Sequence, residues 1–106
     1  MFDAADYGSA RIEYRALAEA RPTDADAWWK VGQTHEREED FVAAIAAYRK
    51  GLGHAPEHAG LHYYLAKALL HEGQRDEARA IVGQGLKFGP DNKGLQSLME
   101  SLNEVP

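Results

Sequence analysis

The chain has 106 residues, enough for one domain, and a core of that size must be simple and repetitive or otherwise reinforced. With a formal net charge of -5 and no cysteine, it has no disulfide framework and no thiolate metal site. An acidic chain gains nothing from counterion release on a phosphate backbone, so nucleic acid is excluded as a partner. No apolar run approaches the ~20 residues that span a bilayer, so membrane insertion is not expected. Met1-Phe2-Asp3-Ala4-Ala5-Asp6 has neither the basic nor the apolar region of a signal peptide. Together with the lack of cysteine, this gives a cytoplasmic location as the expectation.

Hydrophobic periodicity predicts helices in chain order. The first covers 6–20, with Tyr7, Ala10 and Tyr14 along one face, and it stops before Pro22. The second covers 24–37 and carries Ala27, Trp28 and Val31 on one face. Glu38-Glu39-Asp40 interrupts it, and Asp40 is a good N-cap for the third, 40–53. Along that helix Phe41, Ala44, Ile45 and Tyr48 fall at i, i+3, i+4 and i+7. Gly53 to Pro56 ends it. A fourth helix is predicted over 58–71, then a break at Glu72-Gly73-Gln74, then a fifth over 74–87 that Gly89-Pro90 stops. The sixth, 92–103, presents Leu95, Leu98, Met99 and Leu102. Short connections make each adjacent pair antiparallel.

These elements repeat. Pro22, Pro56 and Pro90 are each 34 residues apart, and an interval of this size marks stacked supersecondary units. Ala10, Ala44 and Ala78 share a repeat position, as do Tyr14, Tyr48 and Val82, and Leu17, Gly51 and Gly85. Asp6-Tyr7 matches Asp40-Phe41, and Val31-Gly32 matches Leu65-Ala66. Small residues at Gly32, Ala44, Ala66 and Ala78 let paired helices approach, and Trp28, Tyr48, Leu65 and Leu69 fill the space around them.

The run Trp28-x2-Val31-Gly32-x2-His35, then Ala44-x3-Tyr48 and Pro56, resembles the tetratricopeptide repeat signature. A looser copy follows: His62-x2-Leu65-Ala66-x2-Leu69, Gly73, Ala78-x3-Val82 and Pro90. The resemblance covers nearly the whole chain as a half repeat over 1–22, full repeats over 25–58 and 59–92, and a half repeat over 93–106. It implies an all-α fold: a right-handed superhelical solenoid of antiparallel helix pairs, about six helices in all. The sequence departs from the signature at His62, where tryptophan is usual, and at Arg11, where an apolar residue is usual. Both departures are expected to loosen local packing.

No catalytic or metal chemistry emerges. His54, His58 and His62 are spaced by four, but Pro56 breaks any helix between the first two, and no carboxylate or thiol completes a ligand set. His35-Glu36-Arg37-Glu38-Glu39 begins like a zinc-protease helix but lacks its second histidine. Gly83-Gln84-Gly85 falls mid-helix rather than after a strand, so it is not a phosphate loop. No serine or threonine is spaced with histidine and a carboxylate as a known triad. The chain is therefore read as a non-enzyme with no catalytic residue, metal or cofactor.

The resemblance instead implies protein binding. In this family the concave face, built mainly by the first helix of each repeat, commonly takes an extended peptide or a helix. By register the groove holds Trp29, Gln33, Glu36 and Arg37, then Tyr63, Lys67, Leu70 and His71, with Ser97 and Ser101 from the last helix. Trp28 already fills the core position, and adjacent helical residues point about 100° apart, so Trp29 must leave that core. Trp29 and Tyr63 are expected to anchor a partner while contributing little to stability. Family members that grip a chaperone's terminal carboxylate carry lysine, arginine and asparagine in this groove. The matching positions here are Trp29, Gln33, Tyr64, Gly94 and Leu98, so that activity is not expected. The alternative is a structural or assembly segment of a longer repeat protein, or a module that self-associates through residues 95–102, where Leu95, Leu98, Met99 and Leu102 predict an apolar end.

Overall fold

The structure, a computed structural model, describes residues 7–21 and 23–104. Asp6 and Pro22, which figure in the repeat register, lie outside the described residues, as do Val105 and Pro106. Six helices run in chain order: α1 (Tyr7–Ala20), α2 (Ala25–Arg37), α3 (Phe41–His54), α4 (Ala59–His71), α5 (Arg75–Phe88) and α6 (Lys93–Asn103). Among the described residues there is no strand. Each helix packs against the next in sequence, and α4 also meets α6, as a stack of hairpins requires.

Local chemistry sets the ends. Asp24 accepts from the Asp26 and Ala27 amides, Asp40 from Ala43, and Asn92 from Leu95, each covering donors that the helix itself leaves open. His58 does the same through Nδ1, 3.1 Å from the Leu61 amide. The turns inside the two full hairpins are alike. Asp40 N–H reaches His35 O and Gln74 N–H reaches Leu69 O, both at 2.9 Å. Glu39 and Gly73 sit between, with φ of 61° and 77°. This is the six-to-one closure that ends a helix through one left-handed residue.

The core runs along the hairpins. Tyr48, Leu61, Leu65, Leu69, Val82, Leu95 and Leu102 are fully buried. Trp28 is buried with Ala18 and Ala27 at the α1–α2 contact. Arg11 pairs with Glu38 at 2.5 Å and ties α1 to the end of α2.

The α6 end differs from expectation. Leu95 and Leu102 of α6 are buried, and Leu98 and Met99 are half-buried against the core. The apolar end foreseen over residues 95–102 is therefore largely covered. The reason lies in the register: the positions of Trp28 and Gly32, which face a hairpin partner, become Gln96 and Glu100 in α6, and both are exposed. Among the described residues the large exposed apolar side chains are Ile12 (72%) and Leu17 (42%) on α1, Val42 on α3 and Phe88 on α5. Leu17 shares its position with Gly51 and Gly85, which are flanked on both sides, by Trp28 and Leu61 and by His62 and Leu95.

Candidate functional site

Trp28 and Trp29 part as helical geometry requires. Trp28 enters the core, and Trp29 emerges half-buried on the side that α2 shares with α4. There its ring lies 5.5 Å from that of Tyr64. Tyr64 in turn meets Tyr63 edge-on at 5.2 Å and Tyr48 at 6.2 Å, so four rings from three helices form one connected cluster. Gly94 on α6 permits this: a Cβ there would stand 2.7 Å from the Tyr63 ring, so only glycine lets α6 close on it. The Lys67 ammonium lies 5.1 Å from the Tyr63 centroid, a cation over the ring face.

Beside Trp29 a recess of about 210 Å³ opens between the first turns of α2 and α4, lined by Asp26, Trp29, His58, Gly60, Leu61 and Tyr64. The Trp29 indole N–H is buried at this seam and has no hydrogen-bond partner among the described residues.

Gln33 and Glu36 converge on Tyr48 from α3. The Tyr48 hydroxyl accepts from Gln33 Nε2 at 3.0 Å and donates to the Glu36 carboxylate. Burial, and then the bond to Glu36, push the Tyr48 phenol well above its usual range, so it stays a protonated donor. Leu70 is half-buried against the core. Arg37 is exposed at the end of α2. His71 stacks on Phe41 at 3.7 Å, at the α3–α4 seam. Ser97 and Ser101 are exposed on α6.

Thus Trp29, Tyr63 and Lys67 come together, Gln33 and Glu36 form a second group around Tyr48, and Arg37 and His71 sit at helix ends. Tyr64, the ring that joins the cluster, was named in the sequence only as an unsuited clamp position. Its register partner is Lys30, whose ammonium covers the Tyr14 ring at 5.5 Å, so repetition gave no aromatic signal there. The spaced histidines have separate tasks. His54 stacks on Trp28, His58 caps α4, and His62 Nδ1 donates to the His58 carbonyl at 3.0 Å. Among the described residues no three His, Asp or Glu side chains are grouped to hold a metal. No helix among them is long and apolar enough to cross a membrane. The arrangement offers aromatic area, one overlying cation and a shallow recess.

Comparison with known proteins fits this geometry. Two tetratricopeptide repeat family profiles match, one over residues 36–102 and one over 2–56. The second tetratricopeptide domain of human RPAP3, solved in complex with an HSP70 peptide, superposes with a TM-score of 0.82 at 14% identity, covering 95% of this chain and 84% of that one. The Yersinia enterocolitica type III secretion chaperone SycD, solved with a peptide of the translocator YopD, gives 0.80 at 17% identity, with 92% and 80% covered. Among curated sequences, cellulose synthase operon protein C of Pseudomonas fluorescens is 39% identical over 62 residues. That match covers 58% of this chain and 5% of the relative, so the chain spans a small part of that protein's length.

Proposed function

Because the chain belongs to the tetratricopeptide repeat family, we propose that it is a non-catalytic scaffold that receives a peptide or partner segment on the face formed by α2, α4 and α6. The observation that carries this reading is the aromatic cluster of Trp29, Tyr64 and Tyr63, half-buried beside an open recess. Aromatic residues held rigid by neighbours are the usual anchors of an interface, since they lose little entropy on contact. A peptide carbonyl that reached the Trp29 indole would pair a donor that has no partner among the described residues.

Two solved structures of similar fold hold peptides, and that supports a peptide as the ligand class. Recognition of a terminal carboxylate is not part of the proposal. Trp29, Gln33, Tyr64, Gly94 and Leu98 stand at the positions where a carboxylate clamp needs cations and amides. Arg37 and Lys67 are the groove's cations, and Lys67 lies over Tyr63. Contact should therefore be mainly apolar, with charge setting register and encounter rate. The proposal includes the division into half repeats 1–22 and 93–106 around full repeats 25–58 and 59–92, and a cytoplasmic setting.

A second reading, an assembly segment of a longer array, is favoured by one feature. Leu17 is exposed on α1 at the position where Gly51 and Gly85 of the other hairpins are covered.

The test compares affinity capture by wild type and by Lys67→Glu, a change at an exposed site that spares the core. Proteins bound to the proposed face should be retained by wild type and depleted at least about fivefold by the variant, as expected when a charge at a binding surface is reversed. Identical capture by both would place binding elsewhere.

A further inference from the structure

The 34-residue register pairs Trp28 with His62 and His54 with Phe88. In the first full repeat the Trp28 indole is buried and stacks on His54, with interplanar angle 12° and centroids 6.4 Å apart. In the second, histidine takes the tryptophan's place and phenylalanine the histidine's, and the His62 and Phe88 rings lie 6.0 Å apart. The backbone approach is the same in both. A Cβ on Gly51 would stand 2.8 Å from Trp28 Cβ, and one on Gly85 would stand 2.7 Å from His62 Cβ. The side chains therefore differ while the frame that holds them does not.

The smaller imidazole leaves space. A cavity of about 540 Å³ opens between α3 and α5, with His62 and Leu65 at its base. Its remaining wall includes Leu52, Ile81 and Phe88, the register counterparts of Ala18, Ala47 and His54 around Trp28. Leu52 and Ile81 are larger than their counterparts, but they do not close the gap. Phe88 is left 54% exposed at the edge, the largest exposed apolar ring among the described residues.

The rim is cationic. Among the described residues Arg49 and Lys87 line the cavity, and no carboxylate does. Arg49 is engaged by Glu77 at 2.5 Å, whereas Lys87 belongs to none of the ion pairs among the described residues. In a chain of net charge -5, this is a local reversal of sign beside an apolar hollow.

We infer that this hollow between α3 and α5 receives an aromatic side chain flanked by carboxylates from a partner protein. The indole that the first repeat supplies from its own chain would be supplied to the second in trans. A volume of about 540 Å³ lies within the range of sites that bury a ring-sized group. Apolar contact with Leu52, Ile81 and Phe88 would hold the ring, and Lys87 would meet a flanking carboxylate. The hollow shares α3 and α4 with the aromatic cluster, but none of the four cluster rings lines it, so it stands or falls apart from the function proposed above.

The probe is a capped peptide with one tryptophan between two glutamates on each side, titrated into isotope-labelled protein and followed by amide shifts. Saturable changes at Ile81, Gln84 and Phe88 are expected. They should weaken at least about tenfold when alanine replaces the tryptophan, in line with loss of an interface anchor. They should also weaken when lysines replace the glutamates. His62→Trp should fill the hollow and abolish the response. Lys87→Glu, a surface change that leaves the hollow intact, should weaken it and provides the test should the first variant fold poorly. The inference is overturned by shifts that do not saturate, that map to Trp29 and Tyr63 instead, or that survive both substitutions.

Discussion

The Tyr48 ring occupies the space that a side chain at Gly32 would need, since a Cβ there would stand 2.6 Å from Tyr48 Cζ. The next hairpin solves the same contact with Ala66 and Val82, trading one small and one large residue for two of middle size. Gly32→Ala should therefore destabilise by ~1–3 kcal/mol, because the buried Tyr48 cannot retreat. Gly83 is the internal control. A Cβ there meets nothing nearer than Met99 Cε at 3.9 Å, so Gly83→Ala should stabilise by about 0.5–1 kcal/mol through helix propensity. Urea denaturation of both variants checks the pair, and equal signs would refute the packing argument.

Glu39 and Gly73 hold the same left-handed position 34 residues apart, but only glycine adopts it without strain. Glu39→Gly should raise stability by roughly 0.5–1 kcal/mol, as relief of left-handed strain outweighs the added chain entropy. Gly73→Glu should lower it by a similar amount. Thermal melts of the two exchanges, compared with wild type, show whether the turns obey one rule.

His35 supplies a pH dependence. Burial, and then the nearby Arg11 guanidinium, lower its pKa below the ordinary 6.5. The folded state thus prefers neutral imidazole, while the unfolded chain takes up a proton first. His35 therefore adds no penalty above the unfolded pKa. Stability should fall as pH drops from about 6.5 toward the folded value, then level off. His35→Gln should flatten this part of the curve of melting temperature against pH. A variant curve parallel to wild type would show that the slope arises at another histidine.

Trp29 contributes to packing as well as to the proposed site. The sequence led to the expectation that Trp29→Ala would leave the melting temperature almost unchanged. Contact with Tyr64 and partial burial in the core revise that. The substitution should cost about 1–2 kcal/mol, less than the ~3–5 of a fully buried indole such as Trp28. Lys67→Ala, at an exposed position, should stay within about 0.5 kcal/mol of wild type. Denaturant midpoints for Trp28→Ala, Trp29→Ala and Lys67→Ala should fall in that order of severity.

Helix positions were legible because the chain marks them chemically. Asp24, Asp40 and Asn92 cap as their residue types predict, and apolar spacing fixes which faces turn inward. The division between Trp28 and Trp29 also followed from helical geometry alone. The groove was less legible. Tyr64 was hidden because repetition points to Lys30 at its position, and aromatic character there is particular to one hairpin. The fate of α6 was misjudged because a count of leucines does not say which side they face, whereas the register places Gln96 and Glu100 on the outer side. The hollow above His62 was foreseen only as loosened packing, since its size depends on how far Leu52 and Ile81 reach in three dimensions.

The most direct test of the central claim is selection of binders from a displayed random-peptide library, followed by amide-shift mapping of the best peptide. The account predicts a peptide with at least one large apolar residue whose perturbations centre on Trp29, Gln33, Tyr63, Tyr64 and Lys67. Tyr63→Ala should weaken it by about tenfold or more, as loss of an aromatic anchor does. A selected peptide that maps wholly outside α2, α4 and α6, with affinity untouched by Tyr63→Ala, would contradict the claim that this face is the binding site.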